Sequence, residues 1–197
     1  MASIILIMVF VAGAIPWHIG GLAMMAMPVL YYLIAHVPYR MARISAFLDP
    51  WQDSQGAGFQ LVQSQIALGS GGLFGVGLGK SVQKLFYLPA AHTDFILSII
   101  GEELGLLGTI VVIVLFGLFI WQGARLVKRV KDPFGYFLSL GIVSMIGLQA
   151  VVNIGVSIGA FPTKGLPLPF VSYGGSALMF NLVAIGLLLN ISRIEDA

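Results

Sequence analysis

Two groups of ionisable residues lie in or beside long apolar runs. The first is His92-Thr93-Asp94-Phe95, which closes a loop and opens an apolar stretch that continues to Trp121. The second is Glu102-Glu103, further along the same stretch. Ionisable side chains at membrane depth are costly and by default mark functional sites. Asp94 could take a proton as a general base. Thr93 is also of a type that caps a helix, which would set Asp94 at the positive end of the macrodipole. Position alone favours neither role. Company tips the balance, because Arg40, Arg43, Lys84 and Lys164 fall in segments predicted on the same side of the membrane as Asp94. A carboxylate ringed by cations suits an anionic, lipid-linked substrate, the cations holding phosphates. Snorkelling to lipid headgroups explains Arg40 and Arg43 equally well.

Glu102 and Glu103 are adjacent and so point about 100° apart on a helix. Eight residues put Glu102 about 12 Å beyond Asp94, too far for the paired carboxylates of a glycosidase. Their expected work inside the membrane is to hold helices together or to neutralise a buried cation. Residues 161–176, FPTKGLPLPFVSYGGS, hold three prolines that rule out a regular helix and present Lys164 on a stiff loop. Ser172 is placed to cap the last helix and is also a candidate substrate-binding residue. The amides around Gly174 and Gly175 could bind a phosphate, or the glycines could admit a neighbouring helix. Gln149, Asn153 and Asn181 are lone polar residues that interhelical hydrogen bonds would satisfy.

These residues need a scaffold, and composition names its class. Of 197 residues 58% are hydrophobic and 9% charged, with mean hydropathy +0.99. A soluble domain carries about a quarter charged residues. The predicted fold is therefore an all-α polytopic membrane protein with four to five transmembrane helices and a large extracytoplasmic loop containing short interfacial helices. A net charge of +2 makes no case for nucleic acid. With no cysteine, disulfides, thiolate nucleophiles and Cys-ligated metals are excluded. His18, His36 and His92 lack the paired spacing of a zinc site. Gly79-Lys80-Ser81 is no phosphate loop, since Phe74 stands where the motif needs glycine.

Residues 1–37 read as a clipped span followed by a second span, and 38–92 as the large loop. Spans follow at 93–123, 134–160 and 171–192, with a proline-rich loop at 161–170 and a tail at 193–197. Within the large loop, Phe59, Val62, Ile66 and Gly69 share one helical face and Gln60, Gln63 and Ser64 the other, the pattern of a helix lying on a membrane surface. The glycine run 69–79 reads as a flexible or tightly turning loop. Arg125, Lys128, Arg129 and Lys131 form the densest basic cluster, so 123–133 is predicted cytoplasmic, both other loops outer and the C-terminus inside. The run at 2–15 falls short of the roughly 20 residues a spanning helix needs, and the chain is therefore expected to be the C-terminal part of something longer.

Four strings, taken together, resemble the SEDS family (shape, elongation, division and sporulation). They are YRMARISAFLDPW, GFQLVQSQIALGSGGLFGVGLGKSVQKLFYLPAAHTDF, GEELGLLG and FPTKGLPLPFVSYGGS, and they run from Tyr39 to Ser176 in the family's order. SVQK before YLP, and PTKG before LPFVSYGG, are more similar to its division and sporulation branch than to its elongation branch. The resemblance implies a peptidoglycan glycosyltransferase that polymerises lipid II at the outer face of the bacterial cytoplasmic membrane. Its implied partners are a class B penicillin-binding protein and other membrane proteins of the division complex. The family's essential aspartate corresponds to Asp94, and its PTKG and SVQK lysines to Lys164 and Lys84. In the implied reaction a divalent cation, Mg²⁺ or Mn²⁺, is an optional aid to binding pyrophosphate.

Overall fold

A computed structural model of the chain describes residues 2–56, 58–86 and 92–195. Residues 87–91, near the end of the predicted large loop, lie outside them. The elements in order are α1 (Ala2–Val11), α2 (Pro16–Ala35), α3 (Pro38–Leu48), α4 (Phe59–Ser70), α5 (Val82–Phe86), α6 (Ile96–Arg129), α7 (Pro133–Ser157) and α8 (Gly175–Glu195). There is no strand among the described residues. Among the described residues three helices, α6, α7 and α8, are long and apolar enough to cross a membrane. The protein is an all-α polytopic membrane protein.

Helix α7 sits at the centre and packs against α1, α4, α6 and α8. Ile142, Val143, Ile146 and Ala150 on α7 meet Phe116 and Val127 of α6 and Ala184 and Leu188 of α8. Lipid tails are as apolar as these side chains, so close packing rather than escape from water holds spans together. Gly123 shows this. The sequence reading ends the first long span there, yet α6 runs on to Arg129. A Cβ on Gly123 would stand 2.6 Å from Val143 Cγ2, so the glycine is an approach point between α6 and α7, not a stop. The basic segment is correspondingly not a loop over 123–133. Arg125, Lys128 and Arg129 ride on the last turns of α6, and Asp132 caps α7 by accepting the Gly135 amide at 2.7 Å.

Other boundaries also move. Pro16 opens α2 instead of closing the first run, and residues 38–48 form a helix with Pro38 in its first turn. Helix α7 ends at Ser157, three residues early, in a Schellman turn. Gly159 takes φ +81°, its amide reaches Val156 O at 3.1 Å, and the Ala160 amide reaches Gly155 O at 2.7 Å. The inward face of α4 is rotated from the predicted one. Leu61, Val62, Ser64 and Ala67 are buried while Ile66 and Gly69 are exposed. Ser64 can be buried because its hydroxyl bonds Ser98 Oγ at 2.6 Å and donates to Ser157 O at 2.8 Å. Helix α4 is thus docked on α6 and α7 rather than resting by itself on a surface.

Helix α6 is broken once, at Gly105, with φ +70° and ψ −165°. The break frees main-chain groups on either side, and the glycine-rich segment 71–77 takes them. The Val76 and Gly77 amides donate to Glu102 O and Glu103 O at 2.9 and 3.1 Å, and the Leu106 and Leu107 amides donate to Gly72 O and Leu73 O at 2.9 and 3.3 Å. The glycine run is therefore a tight turn threaded into a helix break. The 24 residues after Gly105 rise about 36 Å, enough alone to cross the roughly 30 Å of a bilayer core. Non-helical backbone at membrane depth is tolerated only where protein covers it. Helix α4 and the turn cover most of the first ten residues of α6, burying Glu102 and leaving Leu104 exposed.

Candidate active site

Asp94 lies before α6, not in its first turn. Residues 92–95 form a turn, and Phe95 precedes the first helical residue without any side-chain cap, so Thr93 does not cap the helix as the sequence suggested. Phe95 is buried with Ile99 of α6 and Val156 of α7. That anchor fixes the chain immediately after Asp94. The carboxylate is half-buried and lies near Gly165 of the 158–174 loop, on which an added Cβ would stand 3.3 Å from Asp94 Oδ2. Burial raises the Asp94 pKa above the ordinary carboxylate value, and a hydrogen bond with the Thr93 side chain acts against it.

Lys164 is exposed on that loop, next to Gly165. Arg43 of α3 donates to Thr163 O at 3.3 Å, so the guanidinium and the Asp94 carboxylate meet the same loop two residues apart, either side of Lys164. Arg40 lies on α3 one turn before Arg43, and its side chain lies outside the described part of the structure. Ser172 does not cap α8, which starts at Gly175. Its hydroxyl donates to Thr93 O and accepts the Leu168 amide at 2.8 Å. Gly174 and Gly175 admit no close neighbour, since an added Cβ would meet at nearest Ala177 Cβ at 3.6 Å and nothing within 4 Å, respectively. Phe170 takes φ +64°, rare for a residue with a side chain and typical of strained functional loops.

Lys84, Glu102 and Glu103 form a second group around the helix break. Lys84 Nζ lies 3.8 Å from Glu103 Oε1. Glu102 is 3% exposed and accepts both the Ser81 hydroxyl and the Val82 amide, the latter at 3.1 Å. Ser81 in turn caps α5, accepting the Lys84 amide at 3.0 Å. Glu102 thus serves the fold by holding the start of α5. Glu102→Ala is expected to lower stability by about 1–3 kcal/mol, because the buried Ser81 hydroxyl and the part-buried Val82 amide lose their acceptor, and Glu102→Gln by roughly half as much. Thermal unfolding of the intact protein in detergent checks this, and an alanine variant that melts with the wild type refutes it.

Sequence reading missed Gly165, Ser81 and Gly105, and it gave Asn153 interhelical hydrogen bonds where its partners lie on the 92–95 turn and the 158–174 loop. Asn153, 1% exposed, donates to Asp94 O and Leu166 O, both at 2.8 Å. A lone polar residue inside a span was the available signal, but its partners are main-chain atoms that no side-chain pattern reveals. Among the described residues no three His, Asp or Glu side chains come together as a metal site.

Apolar helices long enough to cross a membrane, with a half-buried carboxylate just before one of them, define a polytopic membrane protein with a candidate site at Asp94. The family model described as "Cell cycle protein", of FtsW, RodA and SpoVE, matches residues 1–197, and the chain belongs to that family. The resemblance carried by the four strings is borne out. The chain is 51% identical over 192 residues to the probable peptidoglycan glycosyltransferase FtsW of Geobacter metallireducens, covering 98% of this chain and 51% of that protein. It is 47% identical over 193 residues to stage V sporulation protein E of Bacillus subtilis, covering 98% and 53%. A solved structure described as "Structural coordination of polymerization and crosslinking by a peptidoglycan synthase complex" contains a chain similar to this one. That match has TM-score 0.73 and 30% identity, over 98% of this chain and 53% of the other. The chain spans about half the length of the curated relatives it matches.

Proposed function

We propose that this chain takes part in polymerising lipid II into glycan strands at the outer face of the bacterial cytoplasmic membrane during cell division, with Asp94 as general base. The observation that carries the reading is the setting of Asp94. It is a half-buried carboxylate with a raised pKa, against a loop that bears Lys164 and receives Arg43. The names of the relatives support the reaction class.

In this reaction Asp94 accepts the proton of the acceptor sugar's 4-hydroxyl. The oxygen attacks the donor's anomeric carbon, that carbon's bond to the pyrophosphate oxygen breaks, and undecaprenyl pyrophosphate leaves. Arg43 and Lys164, with Arg40, are the cations that would take up the charge developing on the pyrophosphate. Lys84 faces Glu103, which offsets its charge and makes it the weakest candidate among the four. The basic end of α6, with Lys131 after it, supports a cytoplasmic placement for that end and for the C-terminus. The synthase complex among similar structures supports a class B penicillin-binding protein as partner.

The test is polymerisation by the intact protein with its partner in detergent, supplied with fluorescent lipid II. Polymer lengthening with time is the expected result. A transporter of lipid-linked precursors, the main rival, would leave lipid II unpolymerised where no membrane separates substrate from site. A non-catalytic scaffold would do the same, and either outcome overturns the proposal.

A further inference from the structure

We infer that Asn153 and Ser172 are positioning residues for Asp94, clamping the main chain of residues 92–94 to the loop that carries Lys164. The inference rests on Asp94 being the base. Three consecutive carbonyls are held from the α7–α8 side. His92 O accepts the Tyr173 amide at 2.8 Å, Thr93 O accepts the Ser172 hydroxyl, and Asp94 O accepts the Asn153 amide at 2.8 Å. These carbonyls precede α6, whose first turn is closed on Phe95 O by the Ser98 and Ile99 amides. Helix formation therefore does nothing to orient them.

Each of the two side chains holds both partners at once. Asn153 uses its two amide hydrogens on Asp94 O and Leu166 O. Ser172 donates to Thr93 O and accepts from Leu168. With Leu166 tied to the nitrogen that holds Asp94, Gly165 is brought against the Asp94 carboxylate and Lys164 follows directly before it. The chemistry of Asn153 argues for this role over packing. Its Oδ1 is buried without a hydrogen-bond partner, a cost that leucine would avoid in a residue kept only to fill space. A primary amide is the neutral group that sends two hydrogens from one nitrogen to two carbonyls. Clamping matters because small misplacements of a reacting group cost rate. A shift of about 1 Å can cost about 10²-fold.

The experiment measures kcat and KM for lipid II, per folded molecule, in the intact protein with its partner. The variants are Asn153→Leu, Ser172→Ala, Ser172→Thr and Asp94→Asn, with melting temperature recorded for each. Asn153→Leu and Ser172→Ala are expected to lower kcat about 10- to 100-fold with a much smaller change in KM. Ser172→Thr, which keeps the hydroxyl, should recover most of the rate. Should Asn153→Leu fail to accumulate, the alanine and threonine pair at Ser172 decides the matter. An inactive Asp94→Asn beside Asn153→Leu and Ser172→Ala variants of wild-type kcat overturns the clamp and leaves the base in place. So does a Ser172→Thr variant no better than Ser172→Ala. An active Asp94→Asn overturns the base itself and the clamp's purpose with it.

Discussion

Asp94→Asn in the intact protein is expected to lower the rate of glycan polymerisation by about 10²- to 10⁴-fold, the contribution general-base catalysis typically makes. The substitution is nearly isosteric and the anchors on either side do not involve the carboxylate. Phe95 is held by packing, and residues 92–94 are held through their carbonyls. Expression and binding of lipid II should therefore persist. Normal glycan chains from this variant would remove Asp94 from the mechanism. The pH profile carries a sign. A base works deprotonated, so the rate falls as pH drops through the Asp94 pKa. Burial raises that pKa, so the fall begins at higher pH than for an ordinary carboxylate. Thr93→Val removes a hydrogen bond that favours the charged form and should move the acid limb to still higher pH. An acid limb unchanged in that variant would show that another group sets it.

Gly105→Ala is expected to destabilise the protein by several kcal/mol. The backbone there adopts φ +70° and ψ −165°, a region essentially confined to glycine, and strain of this kind costs about 1–3 kcal/mol. An added Cβ would also lie 2.4 Å from Gly75 N and 2.6 Å from Leu73 C and O. These are main-chain atoms and cannot swing aside, so overpacking adds about 1–3 kcal/mol. The control is Gly117→Ala in the same helix, where nothing lies within 4 Å of the new methyl. Alanine there should be neutral or stabilising by up to about 1 kcal/mol. Thermal unfolding of the two variants in detergent compares them directly. Equal melting temperatures would show that the helix break is not needed.

The spans were legible because hydropathy over some 20 residues is set by lipid rather than by neighbours. Asp94 was legible as a lone carboxylate at the end of an apolar run. Gly123 was not, since a glycine in a span serves a neighbouring helix as readily as it ends its own. The buried face of α4 was misjudged because Ser64 counts as polar in any helical pattern. Only Ser98 and the Ser157 carbonyl, 34 and 93 residues away, make its burial affordable. Thr93 had the right type for a cap, but the main chain of 92–94 is fastened from α7 and the 158–174 loop before α6 begins. Ser172 went the same way, its hydroxyl engaged across the site instead of along its own helix. In each case the failure lay in contacts between distant segments.

The turn at 71–77 grips α6 through amides and carbonyls alone. Its side chains are left out of the grip: Leu73 and Phe74 are 61% and 79% exposed, and Leu78, just after the turn, is 75% exposed. Attachment and outer surface are thus specified by different atoms of the same residues. The apolar side chains are free to change identity without loosening the joint, provided the glycines stay. The outward surface of this short segment can thus change while the geometry of the helix it completes is preserved.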